Sequence, residues 1–277
     1  MKILVTGGSG FIGKAFIKKY RQKFDITAPT RAQMDLMDAR AIDKFFANNN
    51  FDAVVHLAGA SEKATGATLE ADNLIMFKNI QYMSIVHGVK KLIAVCSGAD
   101  LDRSRAIVDI TEDKIGESIP TDGYGLGEYL INMLASKDKI TTVLRVFDVY
   151  GVGGGDVISK LVTAGARGRK QLALDRDRTV SAVYVDDAVR VIAELLTKNV
   201  EKSDYNLVSD DKTTYLDVAK QVKRLVKKDG GSIEIVVKRD GLGKEYSAKN
   251  DKLMSALPMR LTSISTAVKK MYEELKK

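Results

Sequence analysis

The sequence predicts a doubly wound α/β fold: a parallel sheet with helices on both faces, joined to a small C-terminal α/β lobe. Short apolar runs alternate with amphipathic stretches through the first half of the chain. Each run ends in a turn-rich junction, and such junctions are where open α/β sheets bind ligands. The 277 residues are 45% hydrophobic and 29% charged, enough apolar material for one large domain with its own core.

The first strand is the apolar run Lys2–Thr6, followed by an amphipathic helix at Gly10–Lys23. Further strands are expected at Asp25–Ala28, Ala53–Leu57, Leu92–Cys96 and Thr142–Val146. Helices fill the intervals at Ala39–Asn48, Glu70–Val86 and Tyr124–Ser136. The glycine-rich segment Gly151–Asp156 then breaks the rhythm. Late strands at Val183–Val185 and Asn206–Val208 flank a helix at Asp187–Leu196. A helix at Tyr215–Lys228, a strand at Ser232–Val237 and a helix at Ser263–Lys276 form the closing lobe. The expected division is a sheet domain of residues 1–152 with 179–209, and a lobe of residues 153–178 with 210–277.

Composition narrows the function. One cysteine excludes a disulfide framework and any Cys-based zinc site, and points to a reducing compartment. His56 and His87 are far apart, so no metal centre is expected. The formal net charge is +8, but the basic residues are spread along helical stretches such as Lys18–Lys19 and Lys227–Lys228. There is no Trp and no basic run interleaved with aromatics of the kind that stacks bases. No nucleic-acid role is expected; a basic cleft for a diphosphate ligand fits the same charge. The opening MKILVTGG is too short an apolar run for a signal peptide, and no stretch approaches a membrane span. A cytoplasmic protein with no membrane contact is the expectation.

The first strand runs straight into TGGSGFIG, which sets Gly7, Gly10 and Gly13 at G-x-x-G-x-x-G spacing. Such a loop needs glycine for a tight turn, for close approach to a pyrophosphate and for packing of the following helix on its strand. The helix N-terminus then offers N–H groups and a partial positive charge to phosphates. The second strand ends in Ala-Pro-Thr30-Arg31, where NAD-selective folds place an acid for the ribose 2′-hydroxyl. Arg31 suits a 2′-phosphate instead and tilts the expectation to NADP, with NAD possible.

Several motifs now carry a resemblance. TGGSGFIG at 6–13, MDLMD at 34–38, VVHLAG at 54–59, LRVFDVYG at 144–151 and VYVDDAV at 183–189 stand in the order seen in extended short-chain dehydrogenases/reductases. The chain thus resembles the NAD-dependent epimerase/dehydratase family, and residues 30–59 look most like GDP-L-fucose synthase and dTDP-4-dehydrorhamnose reductase. The resemblance implies a Rossmann-like sheet, a nucleotide-sugar substrate and a homodimer formed through the helix bearing Tyr124. It implies that Gly7, Gly10, Phe11, Ile12 and Gly13 contact the cofactor phosphates. Asp35 and Leu36 would border the adenine, and Leu57, Ala58 and Gly59 would line the ribose and pyrophosphate. His56 lies inside an apolar strand and reads as a core histidine, and Asp186 and Asp187 read as caps of the following helix.

The family's chemistry uses a Ser or Thr, a Tyr and a Lys. The phenol exchanges a proton with the sugar oxygen, the hydroxyl hydrogen-bonds that oxygen, and the lysine lowers the phenol's pKa. Ser97, at the end of LIAVCS, matches the hydroxyl, and Tyr124 of YGLGEYL matches the phenol. The lysine position holds Glu128. Residues four apart share one helix face, and two unit charges about 6 Å apart interact by roughly 3 kcal/mol at an effective dielectric near 20. An anion there is expected to raise the phenol pKa and to point at the nicotinamide ribose. A His of the fucose-synthase-like pattern is likewise replaced by Asp156, and Cys96 reads as a buried strand thiol. Tyr124, Ser97 and Glu128 are therefore the catalytic candidates. Two functions fit: a nucleotide-sugar oxidoreductase or epimerase with a departed Y-x-x-x-K motif, and a binding protein that keeps the dinucleotide site without the reaction.

Overall fold

The computed structural model describes residues 1–59 and 69–277. In chain order the elements are β1 (Lys2–Thr6), α1 (Phe11–Tyr20), β2 (Asp25–Thr27), α2 (Ala39–Ala47), β3 (Ala53–His56), α3 (Leu69–Val86) and β4 (Lys91–Ser97). They continue with β5 (Ile107–Ile110), α4 (Gly123–Ala135), β6 (Thr141–Val146), β7 (Asp148–Tyr150), α5 (Val157–Ala166), β8 (Gln171–Asp177) and β9 (Thr179–Tyr184). The last are α6 (Val185–Thr197), β10 (Asp204–Leu207), β11 (Lys212–Thr214), α7 (Tyr215–Lys228), β12 (Glu234–Leu242), β13 (Tyr246–Ala248), α8 (Asp251–Ala256) and α9 (Ile264–Leu275).

Six strands form one parallel sheet in the order β10-β6-β4-β3-β1-β2. The chain starts at β1, steps out to β2, then returns to the other side of β1 with β3. The strand order therefore reverses between β1 and β3, and the crevice at such a reversal is where doubly wound folds bind ligands. The central strands are apolar throughout because both faces are covered. Phe16 of α1, Ile192 of α6 and Leu253 of α8 pack on one face with Val5, Val55 and Ile93. Ile42 and Phe46 of α2, Phe77 and Ile80 of α3 and Ile131 of α4 pack on the other with Leu4, Val54 and Leu92.

A second, mixed sheet runs β11-β9-β13-β5, with β7 also on β9. β9 is thus not a strand of the main sheet; within 179–209 only β10 joins it. Isolated apolar runs do not reveal which sheet they enter, and the segment β5 at 107–110 and the bridging strand β7 were absent from the expected elements for the same reason. The lobe has its own core of Leu161, Val162, Leu172, Val222, Val268 and Met271, from α5, β8, α7 and α9. α8 departs from the expected division, since Leu253 and Leu257 pack against the main sheet.

Caps explain several helix starts. Asp38 accepts N–H bonds from Arg40 and Ala41 at the head of α2, and Asp122 accepts one from Gly125 at the head of α4. Asp186 and Asp187 do not cap α6, whose N-cap is Tyr184. Asp187 instead binds Arg190 and the N–H of Thr262, and Asp186 pairs with Lys270 on α9. They stitch the C-terminal segment to α6. No described helix is long and apolar enough to cross a membrane.

Candidate active site

The glycine loop fills the β1–β3 crevice. Gly7 has φ +69, and a Cβ there would stand 2.6 Å from the backbone nitrogen of Ala58, so both conformation and contact demand glycine. A Cβ at Gly13 would collide with the Gly7 carbonyl, so glycine there lets α1 pack close against the loop. Gly10 is the N-cap of α1, which has no side-chain cap and no acidic residue in its first turn. That helix end is left to face an anion.

A cleft of about 410 Å³ opens beside the loop, lined by Gly7, Gly10, Arg31, Asp35, Leu36 and Leu57 through Gly59 among others. A glycine cradle that a side chain would fill, an uncapped helix N-terminus and an arginine at the far end suit a dinucleotide phosphate. Arg31 is exposed and reaches Asp35 across 3.4 Å. The Met37 N–H on the Asp35 carboxylate holds its pKa below the usual range, with Arg31 adding to the effect. Phe11 is not among the residues lining this cleft; its ring packs beside Gly151 and against the lobe core.

The cleft continues past Leu57, Ala58 and Gly59 into a second pocket of about 290 Å³ that holds Ser97, Tyr124 and Glu128, with Ile12 and His56 in its wall. All three catalytic candidates therefore meet in one place. β4 delivers Ser97 at its C-terminal end, and α4 delivers Tyr124 and Glu128 one turn apart. The Glu128 carboxylate accepts the Ser97 backbone N–H at 2.7 Å. Glu128 thus meets the end of β4 through one oxygen while still lining the pocket. Burial pushes the Glu128 pKa up to about 7, against the pull of the Ser97 N–H. Full negative charge at neutral pH is therefore not available, and the expected rise of the phenol pKa is correspondingly weaker.

The Ser97 hydroxyl accepts the Ala99 N–H at 3.1 Å and keeps its proton to give elsewhere. His56 Nδ1 is 2.8 Å from Thr6 Oγ1, and burial lowers its pKa to about 4, so it is a neutral core histidine. Cys96 is buried, and burial pushes its thiol pKa up. Asp156 caps α5, accepting the Ser159 N–H at 2.8 Å. Tyr272 of the terminal YEELK string donates to Asp229 in the lobe, far from the pocket chemistry.

Beneath the site, the fully buried Arg145 on β6 donates to Asp100 at 2.6 Å, to Asn206 at 2.9 Å and to Asp204 at 3.2 Å. Asn132 of α4 also donates to Asp100, at 3.0 Å. This network ties β6, β10, the turn after Ser97 and α4 into one body. Sequence reading missed it because a lone arginine in an apolar strand announces no partner.

The lobe adds a third cavity of about 790 Å³, with Arg103, Lys160, Arg176, Arg178, Arg239 and Lys244 in its walls. None of these cations belongs to the helical stretches named from the sequence. The alternating Asp175-Arg176-Asp177-Arg178 run was the available signal, since charges on a strand edge can share one cleft. Beside it, Asp148 accepts the Tyr215 hydroxyl at 3.2 Å, and burial raises its pKa to about 6.

The sequence profile of the NAD dependent epimerase/dehydratase family matches residues 3–207. The chain belongs to that family. Within the family's wider circle it is 29% identical over 222 residues to the GDP-6-deoxy-D-talose 4-dehydrogenase of Aggregatibacter actinomycetemcomitans, covering 75% of this chain and 74% of that one. It is 25% identical over 222 residues to the GDP-L-fucose synthase of Azorhizobium caulinodans, covering 70% of each. The fold of this family member is also that of MlghC, a GDP-mannoheptose C4 reductase from Campylobacter jejuni solved with NADP bound (TM-score 0.84, 18% identity, 100% and 98% coverage).

Proposed function

We propose that this chain is a nucleotide-sugar oxidoreductase or epimerase acting on a 4-keto-hexose type centre, with NADP preferred over NAD. The observation that carries the reading is the meeting of Ser97 and Tyr124 in a pocket that shares Leu57–Gly59 with the glycine-loop cleft. Gly7, Gly10 and the N-terminus of α1 would hold the pyrophosphate, and Arg31 the 2′-phosphate. A bound nicotinamide supplies or accepts the hydride. Tyr124 gives or takes the proton at the sugar oxygen, and Ser97 donates a hydrogen bond to that oxygen. Glu128 fixes the Ser97 backbone and so the place of its hydroxyl. The basic cavity beside β8 suits the substrate's diphosphate. The relatives named for GDP-linked sugars support that substrate class.

A second reading is favoured by one observation, the carboxyl of Glu128 at the position where the family carries a lysine. Under it the chain binds dinucleotide and nucleotide sugar without turnover. The deciding experiment incubates the chain and NADP(H) with a panel of GDP-, UDP- and dTDP-linked sugars and their 4-keto forms, reading net redox by cofactor absorbance and epimerisation by chromatography of the sugar nucleotides. Turnover that falls at least a hundredfold in Tyr124→Phe supports the enzyme; cofactor binding with no turnover on any substrate supports the binding protein.

A homodimer is part of the same proposal. α4 exposes Leu126, Leu130 and Met133 at helical spacing, and α3 exposes Ile75, Tyr82 and Ile85.

A further inference from the structure

We propose that Arg103 is a positioning residue that acts through Tyr124, supplying from outside helix α4 the positive charge that the Glu128 position lacks. The proposal rests on Tyr124 as the acid–base of the preceding section. The guanidinium carbon of Arg103 stands 5.9 Å from the centroid of the Tyr124 ring. Its Nη2 donates to Asp122 Oδ1 at 2.9 Å. The same carboxylate oxygen accepts the Gly125 N–H and so caps α4, two residues from Tyr124. One ion pair thus anchors the start of the helix and lays a cation against the face of the phenol. The ring quadrupole attracts that cation, and a nearby cation favours phenolate over phenol.

Among the described residues, the charged and titratable groups near the phenol come from several elements. No lysine or arginine stands among the described residues lining the Tyr124 pocket. On α4 there is Glu128, held near half-ionisation at neutral pH by burial. From β3 there is His56, neutral, and from β4 there is Cys96, held as a thiol. Asp100 below is committed to Arg145. Arg103 arrives from the loop after β4 and also lines the basic cavity of the lobe, with 23% of its side chain exposed. Arg103 thus lines the basic cavity while its guanidinium lies over the ring of Tyr124, which lines the neighbouring pocket.

The test reads the phenol itself. Tyrosines labelled with 13C at Cζ are titrated by NMR in the full chain, and Tyr124→Phe assigns the resonance. Arg103→Gln is expected to raise the Tyr124 midpoint by about one pH unit, and Arg103→Lys to keep it close to native. Asp122→Asn retains a good helix cap while removing the anion, and is expected to lower the midpoint. Opposite shifts from the two partners are what a purely structural pair cannot give. An unmoved midpoint in folded Arg103→Gln, or a native resonance that does not titrate below about pH 11, overturns the proposal. If Arg103→Gln does not fold, Asp122→Asn decides: a lowered midpoint supports, and an unchanged or raised one overturns. Because none of these readings depends on turnover, they stand or fall separately from the catalytic assignment.

Discussion

The carboxylate of Glu128 accepts the backbone N–H of Ser97 at 2.7 Å and so joins α4 to the end of β4. A lysine cannot make this bond, since it has donors only. At this position the carboxylate braces the strand end that presents the Ser97 hydroxyl.

That bond sits in a buried environment, and the pH dependence of stability should show it. The Glu128 pKa rises on folding from 4.5 to about 7, so the folded state holds the proton more tightly than the unfolded state. The associated stability is fully present below about 4.5 and is lost as pH rises through about 7. Glu128→Gln, which cannot ionise, should gain on the native protein by up to about 3 kcal/mol at pH 8, with the gain vanishing near pH 4. Urea unfolding of both proteins across that range checks it. A difference that does not vary with pH would show that folding leaves the Glu128 pKa unchanged.

Turnover should respond to charge at the same position. Glu128→Lys is expected to raise the rate with 4-keto nucleotide sugars tenfold or more, equivalent to about 1.4 kcal/mol of barrier. Both proteins are compared on one substrate panel by cofactor oxidation. If the substitution slows an already fast enzyme, the brace on Ser97 matters more than the missing cation.

Arg31 should set cofactor choice. The native chain is expected to bind NADP more tightly than NAD, and Arg31→Ala to remove most of that preference, roughly tenfold or more. Calorimetry with each cofactor gives the answer directly, and equal native affinities would contradict the assignment. The Arg31–Asp35 pair is exposed, so the substitution should leave stability nearly unchanged.

Leu130→Glu places a charge in the exposed apolar row of α4. Light scattering should show a dimer for the native chain and a monomer for the variant. A native monomer at micromolar concentration would leave that row without its proposed partner.

Much of this fold was legible because its signals are local. The Tyr215–Lys228 helix was read with both bounds correct, since Thr214 caps it and its apolar positions recur every third or fourth residue. The glycine loop was legible because its spacing encodes backbone geometry. Pairing across distance was not. β9 reads as apolar whichever sheet receives it, and β5 was hidden in a polar stretch where only its pairing with β13 makes it a strand. At the site, the types at positions 97, 124 and 128 were visible. The direction of the Glu128 carboxyl was not, because it depends on the distance between a helix and a strand end.

The buried Arg145 has a consequence for a chain still being made. Two of its acceptors, Asp204 and Asn206, lie 59 and 61 residues further along. While synthesis is between β6 and β10, the outer edge of β6 is bare and its guanidinium lacks two of its three carboxylate and amide partners. Hydration of that charge opposes burial against any other apolar strand. The same arginine that later locks the sheet shut is thus a charge beside the open edge of β6 until β10 arrives.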